Sequence, residues 1–201
     1  SHPLSRGLVG AWVLNDTCGM WVWDSSPYKN HGTAGGTRAG WDGRTFTAAT
    51  DQIAVPSKTV STITTAFTLV ASFKSRKDTG IQELFNFGPW GLETVNQTIE
   101  GFTNGGVRAN VTNTLQAGSS YTVVFAWSTT SNYIMVNNGI INNDNSVTVL
   151  GVASNYWIGR WDADTTRTFL GTISLALIYN RKLVTSEAKN LTINPYEMFL
   201  K

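Results

Sequence analysis

Apolar and polar residues alternate along most of the chain, in short runs that favour strands over helices. Between residues 67 and 74, apolar residues fall at every second position and share one face of an extended strand: Phe67, Leu69, Ala71 and Phe73. The same pattern predicts further strands at 8–14, 21–24, 46–55 (two short strands), 83–87, 92–95, 99–103, 107–111, 121–127, 133–136, 140–141, 156–159 and 169–179.

Turn-forming residues separate these strands. Segment 25–36 is rich in Ser, Pro, Asn and Gly and is expected to be a loop. Asn138-Gly139 predicts a hairpin, because a type I′ turn needs positive φ at both central residues. One helix is expected, at about 187–191, and Asn194-Pro195 would end it.

About a dozen short strands that do not alternate with helices exclude a parallel sheet with crossover helices. They predict an all-β fold, a two-sheet antiparallel jelly-roll sandwich with one short C-terminal helix. With 41% apolar and 14% charged residues, the chain is too apolar to be disordered. Its 201 residues suit one such domain, so we expect residues 1–201 to form a single domain.

Both ends of the chain resemble a known family. The opening strand Gly7 to Trp12 is followed by the loop Asp24 to Thr33, and the closing part contains Phe169 to Ile173, Ala176 to Leu183 and Ser186 to Ala188. These segments are similar to the laminin-G-like, concanavalin A-like lectin and glucanase domains. The segment Asn194 to Phe199 resembles the tail of phage-encoded members. The resemblance implies a sandwich of two curved sheets, and it covers glycan-binding modules, virion surface proteins and some glycanases.

Net charge and cysteine content limit the kinds of binding partner and cellular location to expect. The net charge is +2 and no basic stripe occurs, so we expect no nucleic-acid binding. The apolar runs are too short for membrane insertion, and no leader peptide is recognised. The single cysteine, Cys18, fits synthesis in a reducing cytoplasm, followed by a place on a virion surface or outside the cell after release.

The candidate chemistry of an enzyme is weak. A glycosidase needs two carboxyl groups about 5–10 Å apart, and none of the five glutamates has a second carboxylate within three residues. Glu93 and Glu100 could approach each other across strands only in one register, so we expect all five glutamates, Glu83 included, to be solvated strand and helix positions. No nucleophile elbow and no zinc-ligand spacing occurs. We therefore expect that the chain is not an enzyme.

The resemblance implies one candidate ion, calcium, which several members bind through the first long loop. Asp24 and Asn30 match that loop, and Asp51 matches a second acidic turn. Ser174 stands where the family often has an aspartate, which would weaken the site. Calcium is therefore the one candidate cofactor, and we expect its effect on the melting temperature to be modest.

Loop aromatics are the candidate ligand-binding residues, because a tryptophan ring can stack on the apolar face of a sugar ring while polar neighbours bind its hydroxyl groups. Trp161 has the best polar neighbours. The candidate ligand-binding residues are Arg160, Trp161, Asp162, Asp164, Trp90 and Trp41.

Three functions stay open. We expect a non-catalytic binding or adhesion module, whose partner is a carbohydrate such as a host-surface glycan, displayed on a phage particle. The first alternative is a structural virion protein of a capsid or tail, whose partners are other virion proteins. The second alternative is a divergent glycanase.

Overall fold

The computed structural model describes residues 2–15, 19–60, 63, 65–103, 106–144, 153, 156–161 and 165–199. These residues form two antiparallel sheets, as the alternation predicted. The strands are β1 (Leu8–Val13), β2 (Trp21–Val22), β3 (Gly32–Gly35), β4 (Arg38–Gly40), β5 (Gly43–Phe46), β6 (Gln52–Ala54), β7 (Ala66–Ser75), β8 (Ile81–Asn86), β9 (Trp90–Val95), β10 (Thr98–Thr103), β11 (Gly106–Val111), β12 (Ser120–Ser128), β13 (Asn132–Val136), β14 (Ile140–Asp144), β15 (Trp157–Ile158) and β16 (Gly171–Tyr179).

The strand order shows a jelly-roll sandwich. Sheet A has the order β14-β13-β12-β7-β16-β5-β4, and β1 also pairs with β16. Sheet B has the order β11-β10-β9-β8-β15-β6-β3-β2. Neighbours in the sheets come from distant parts of the chain, such as β7 beside β16. The all-β, two-sheet fold class predicted from sequence is therefore confirmed.

Aromatic residues fill the space between the sheets. Phe67 of sheet A stacks on Trp90 of sheet B, with ring centroids 4.5 Å apart, and on Trp127 at 5.5 Å. Phe125 meets Phe67 edge to face. Each of these large rings buries nearly all of its surface, and stacked or edge-to-face pairs add to the stabilisation from burial. This cluster joins the two sheets.

The outer face of sheet A carries a second apolar layer. Helix α1 (Thr185–Ile193) packs Ala188 and Leu191 onto this face, and Leu4 near the chain's start joins the same cluster. The Val184 N–H donates to the carboxylate of Glu187 at the start of the helix. Both ends of the described chain thus lie on the outer side of sheet A. None of the described helices is long and apolar enough to traverse a lipid bilayer.

Two local predictions need correction. The segment predicted as loop at 25–36 contains β3, which pairs with β2 and β6. The predicted hairpin between β13 and β14 is present, but the two positive-φ residues are Asn137 and Asn138, one position earlier than expected. Asparagine adopts this backbone region more readily than most other non-glycine residues, which allows the shift.

Gly101 of β10 offers a test of the packing between the sheets. An added Cβ would lie 2.3 Å from the Phe125 ring of sheet A. We expect Gly101→Ala to lower the free energy of unfolding by about 1–3 kcal/mol, as overpacked core positions do. Gly35→Ala is the matched control, because a Cβ added at Gly35 would lie 3.6 Å from its nearest neighbour atom, an ordinary van der Waals distance. Urea titrations of both variants measure the difference, and equal stability would contradict the packing described.

Candidate functional site

Three glutamates lie side by side on neighbouring strands of sheet B. Glu93 of β9 pairs with Glu83 of β8 on one side and with Glu100 of β10 on the other. Residues directly opposite one another in antiparallel strands have Cβ atoms about 4.5–5.5 Å apart. The three carboxyl groups therefore form a line across the strands, which we call the carboxyl row (Glu83, Glu93 and Glu100).

The carboxyl row lies on the outer face of sheet B. Leu92 and Ile99 each precede one of the glutamates in sequence, and both are buried in the core between the sheets. Because successive side chains of a strand point to opposite faces, Glu93 and Glu100 point away from that core. The side chains of the row therefore share the face that sheet A does not cover.

A short 3-10 helix, Thr165–Arg167, covers one end of the row. The adjoining Thr168 forms a parallel bridge with Glu83 and donates its hydroxyl hydrogen to the Ala49 carbonyl at 2.8 Å. The helix holds the Arg167 guanidinium 3.9 Å from the Glu83 carboxylate and 4.1 Å from the ring centroid of Trp161. With residues 165–168 packed beside it, the Glu83 side chain is only 1% exposed.

A cavity of about 200 Å³ opens beside the row. Its lining combines acidic, cationic, amide and aromatic groups, with two glycines that leave space. The lining residues are Glu83, Asn86, Gly88, Glu93, Phe102, Gly106, Trp161 and Arg167.

Burial raises the pKa of every carboxyl group in the row. Desolvation is the largest cause for each, and the charge of Glu93 further raises the pKa of Glu83 and Glu100. The pKa of Glu100 rises to about 7. Hydrogen bonds between the carboxyl groups raise the pKa of the two outer glutamates and lower that of Glu93. Burial and mutual proximity therefore disfavour full ionisation of the row.

Two oxygens of the row lack a hydrogen-bond partner among the described residues. Glu83 Oε2 is buried and accepts no hydrogen bond there, and the same is true of Glu93 Oε2. A buried acceptor without a donor is costly unless a ligand or water supplies one. The cavity therefore has acceptor capacity that the described residues leave unused.

The predicted constellation around Trp161 is only partly assembled. Trp161 does line the cavity, but the Arg160 Nη1 donates to Gln52 of β6 at 2.7 Å. Asp162 and Asp164 lie outside the described residues. The partners that sequence reasoning missed are Arg167, Phe102 and the carboxyl row.

The two alternative tryptophans lie elsewhere. The prediction that Trp90 belongs to a loop is wrong, since it begins β9 and is 1% exposed in the core. Trp41 is 86% exposed at the turn between β4 and β5, in sheet A. Its neighbour Asp42 lines a separate, hydroxyl-rich groove of about 390 Å³ on the outer face of that sheet. Trp41 and Trp161 therefore cannot serve one small ligand.

The prediction that the glutamates are solvated is wrong for two of them. Glu83 is 1% exposed and Glu100 is 8% exposed. The register across β9 and β10 follows from the two-residue turn Asn96-Gln97, because residues 93 and 100 are equally distant from its centre. That turn was the sequence feature that would have shown Glu93 opposite Glu100.

The residues proposed for calcium instead stabilise loops. Asp24 Oδ1 accepts the N–H groups of Ala11 and Ser26, and Oδ2 accepts the Asn30 N–H at 2.6 Å and the Ser26 hydroxyl. Two donors on each oxygen fill its lone pairs. The Asn30 side chain donates to the Val9 carbonyl. Asp24 and Asn30 thus hold the first long loop against β1, and they do not fit calcium ligation.

Asp51 has a similar local role. Its Oδ2 accepts the N–H groups of Thr47 and Ala48 and closes the turn after β5. In the ranges that the structure describes, no group of three acidic, His or Cys side chains is arranged to hold a metal ion. A calcium effect on this protein stays a prediction without an assigned site.

Asp24→Ala tests the structural role of this carboxylate. Three buried N–H groups would lose their acceptor, at about 1–3 kcal/mol each, so we expect a loss of about 3 kcal/mol or more. The loss should be equal in calcium and in EDTA, measured by thermal melts, while Asp42→Ala at an exposed turn should change little. If Asp24→Ala instead melts like the parent in EDTA and lacks only a calcium-dependent rise in melting temperature, Asp24 would be a calcium ligand after all.

The raised pKa values make stability depend on pH. Glu100 has an ordinary pKa of 4.5 and a pKa of about 7 in the folded protein. Between these values the folded state binds more protons than the unfolded state, so the free energy of unfolding falls as pH rises. We expect the melting temperature to drop by roughly 4–8 °C between pH 5 and pH 8.

The glutamine of Glu100→Gln carries no charge at either pH 5 or pH 8. This variant should therefore lose much of the drop in melting temperature. Glu197→Gln, in the last turn of the described chain and outside the row, should keep it. A parent protein that is more stable at pH 8 than at pH 5 would contradict the described burial of the row.

Comparisons with known proteins support the fold. No family model matches the chain, and no curated protein matches its sequence. Among solved structures, it is similar to Trypanosoma rangeli sialidase in complex with 2,3-difluorosialic acid, with a TM-score of 0.74, 19% identity and 94% of this chain covered. It is also similar to the binding domain of Paraclostridial Mosquitocidal Protein 1, with a TM-score of 0.74, 15% identity and 96% of this chain covered.

The chain spans 33% of the sialidase chain and 53% of the mosquitocidal protein's binding-domain chain. At such identities the likeness concerns the backbone arrangement alone. Together with the strand order, it shows a two-sheet antiparallel β-sandwich of the jelly-roll kind.

Proposed function

We propose that this chain is a non-catalytic carbohydrate-binding domain whose ligand lies in the cavity beside the carboxyl row. The observation that carries this proposal is the Trp161 ring next to a set of partly unpartnered carboxyl oxygens. A sugar has apolar C–H faces and hydroxyl groups that donate and accept hydrogen bonds. The aromatic walls and the partly unpartnered carboxyl groups match both features.

The solved structures of similar fold are consistent with this proposal. The sialidase, of which this chain resembles about a third, has been seen in complex with sialic acid. The mosquitocidal protein's similar segment belongs to a binding domain. The terminal segments that resemble phage-encoded, laminin-G-like proteins favour display on a virion surface, with a host-surface glycan as the partner. A virion protein without a small ligand is the alternative.

Glycoside hydrolysis is the second candidate, because the structure brings together carboxyl groups that the sequence keeps apart. Retaining glycosidases separate their two carboxyl groups by about 5–5.5 Å and inverting ones by about 6.5–9.5 Å. Paired glutamates on neighbouring strands have Cβ atoms about 4.5–5.5 Å apart, so their spacing alone does not decide the question. Of the three, only Glu83 and Glu93 line the cavity, and Glu83 is 1% exposed beside the Arg167 guanidinium, which leaves Glu93 as the more exposed of the two. Because hydrolysis needs two carboxyl groups that reach the same sugar bond, we propose binding without hydrolysis, so that no reducing sugar is released from any glycan bound.

A glycan array, with and without calcium, followed by titration of the ligands found, tests the proposal. Trp161→Ala should weaken binding by about 2 kcal/mol, the usual effect of removing a central aromatic contact. Trp41→Ala removes an exposed tryptophan of the other sheet and serves as the control. Thermal melts of both variants check that each remains folded.

Other results would redirect the proposal. If Trp41→Ala weakens binding and Trp161→Ala does not, the ligand lies in the groove beside Asp42. If no glycan binds the parent, the structural virion role is the better explanation. Release of reducing sugar that Glu93→Gln abolishes would establish the glycosidase.

A further inference from the structure

We propose that the carboxyl row recognises the ammonium group of an amino sugar, so that the ligand is a glycan with an unacetylated amine. This inference rests on the proposed carbohydrate-binding function and narrows its ligand class. Three features carry it: the unpartnered oxygens of the row, its charge balance, and the aromatic walls around it.

The two oxygens of the row that lack a hydrogen-bond partner can both act as acceptors. Glu83 Oε2 and Glu93 Oε2 are buried without a hydrogen-bond partner in the described structure, and Glu83 lines the cavity. An ammonium group has three donors and no acceptor, so two of its hydrogens can meet Glu83 Oε2 and Glu93 Oε2 at once. A sugar hydroxyl supplies only one donor. The chemistry of the vacant positions therefore favours an ammonium group over a hydroxyl group.

Charge balance favours the same ligand. If all three glutamates were ionised, Arg167 would neutralise one carboxylate and leave two unbalanced. Among the described lining residues of the cavity, Arg167 is the only cation. Burial disfavours the charged forms of these carboxyl groups, and an ammonium group bound between two of them would supply the missing positive charge. A neutral sugar leaves this imbalance unchanged.

The walls of the cavity suit a cation attached to a ring. Arg167 already lies 4.1 Å above one face of the Trp161 ring, so the ligand's carbon atoms would pack on the edge or the opposite face of this ring. Phe102 provides a second aromatic wall. The carbon skeleton of an amino sugar can pack on these rings while its ammonium group reaches the carboxyl row. The cavity of about 200 Å³ is matched to a small group rather than to a folded partner.

The arrangement favours an ammonium group over a metal ion. Metal ligands converge on one point, whereas carboxylates on successive strands lie in a line with strand spacing of about 4.8 Å. Consistent with this, no side-chain group suited to a metal occurs in the part of the chain that the structure describes.

Titration calorimetry at pH 7 with two probes tests the inference. The probes are a β-1,4-linked glucosamine trisaccharide and its fully N-acetylated form, which differ only in the charge and shape of the amine substituent. We expect the glucosamine form to bind the parent at least roughly tenfold more tightly, the usual effect of a charged hydrogen bond. Glu83→Gln and Glu93→Gln should each reduce this ratio towards one, because these two glutamates line the cavity and carry the unpartnered oxygens. Glu197→Gln, outside the row, should leave it unchanged.

Two variants are used because Glu83 is the more buried and its substitution has the greater risk of misfolding. Measurable binding of neutral glycans with a ratio near one in the parent would overturn the inference and leave the proposed function standing. Absence of binding to every glycan would overturn both. Tighter binding of Nα-acetyl-lysine amide than of the glucosamine trisaccharide would assign the row to a protein lysine, and the amino-sugar inference would be wrong.

Discussion

The stacking of Phe67 against Trp90 joins the two sheets and determines where every side chain of β9 points. Trp90 and Leu92 must face the core to keep this contact, so Glu93 must face outward. A slip of one residue would bury the charged carboxylate between the sheets and expose the indole ring. The register that places the carboxyl row is therefore enforced by hydrophobic burial, which acts far more strongly than the repulsion within the row.

The carboxyl row is a local source of instability within a well-packed sandwich. Like charges directly opposite one another destabilise a sheet, and burial without full hydrogen bonding adds to the penalty. The apolar layers on both faces of sheet A offset this effect at a distance from it. Proteins commonly tolerate such unfavourable arrangements where a ligand binds, because the ligand supplies the missing partners.

The fold could be predicted from the sequence because alternation reports burial directly, as at Phe67, Leu69 and Phe73. Trp90 was misjudged because it follows Gly88-Pro89, a turn sequence, although tertiary packing makes it the first residue of a strand. Glu83 could not be placed, since a bulge between Glu83 and Phe85 shifts the register against β9. Arg167 reaches the row through a long-range contact that no local pattern encodes.

The position of the two chain ends has a consequence for presentation. Leu4 and helix α1 lie on the outer side of sheet A, while the carboxyl row lies on the outer side of sheet B. The thickness of the sandwich thus separates any attachment made through either end from the cavity. A particle, a surface or a further domain joined there would hold the cavity facing outward, accessible to large, branched polymers, and many tethered copies would present their cavities in the same direction.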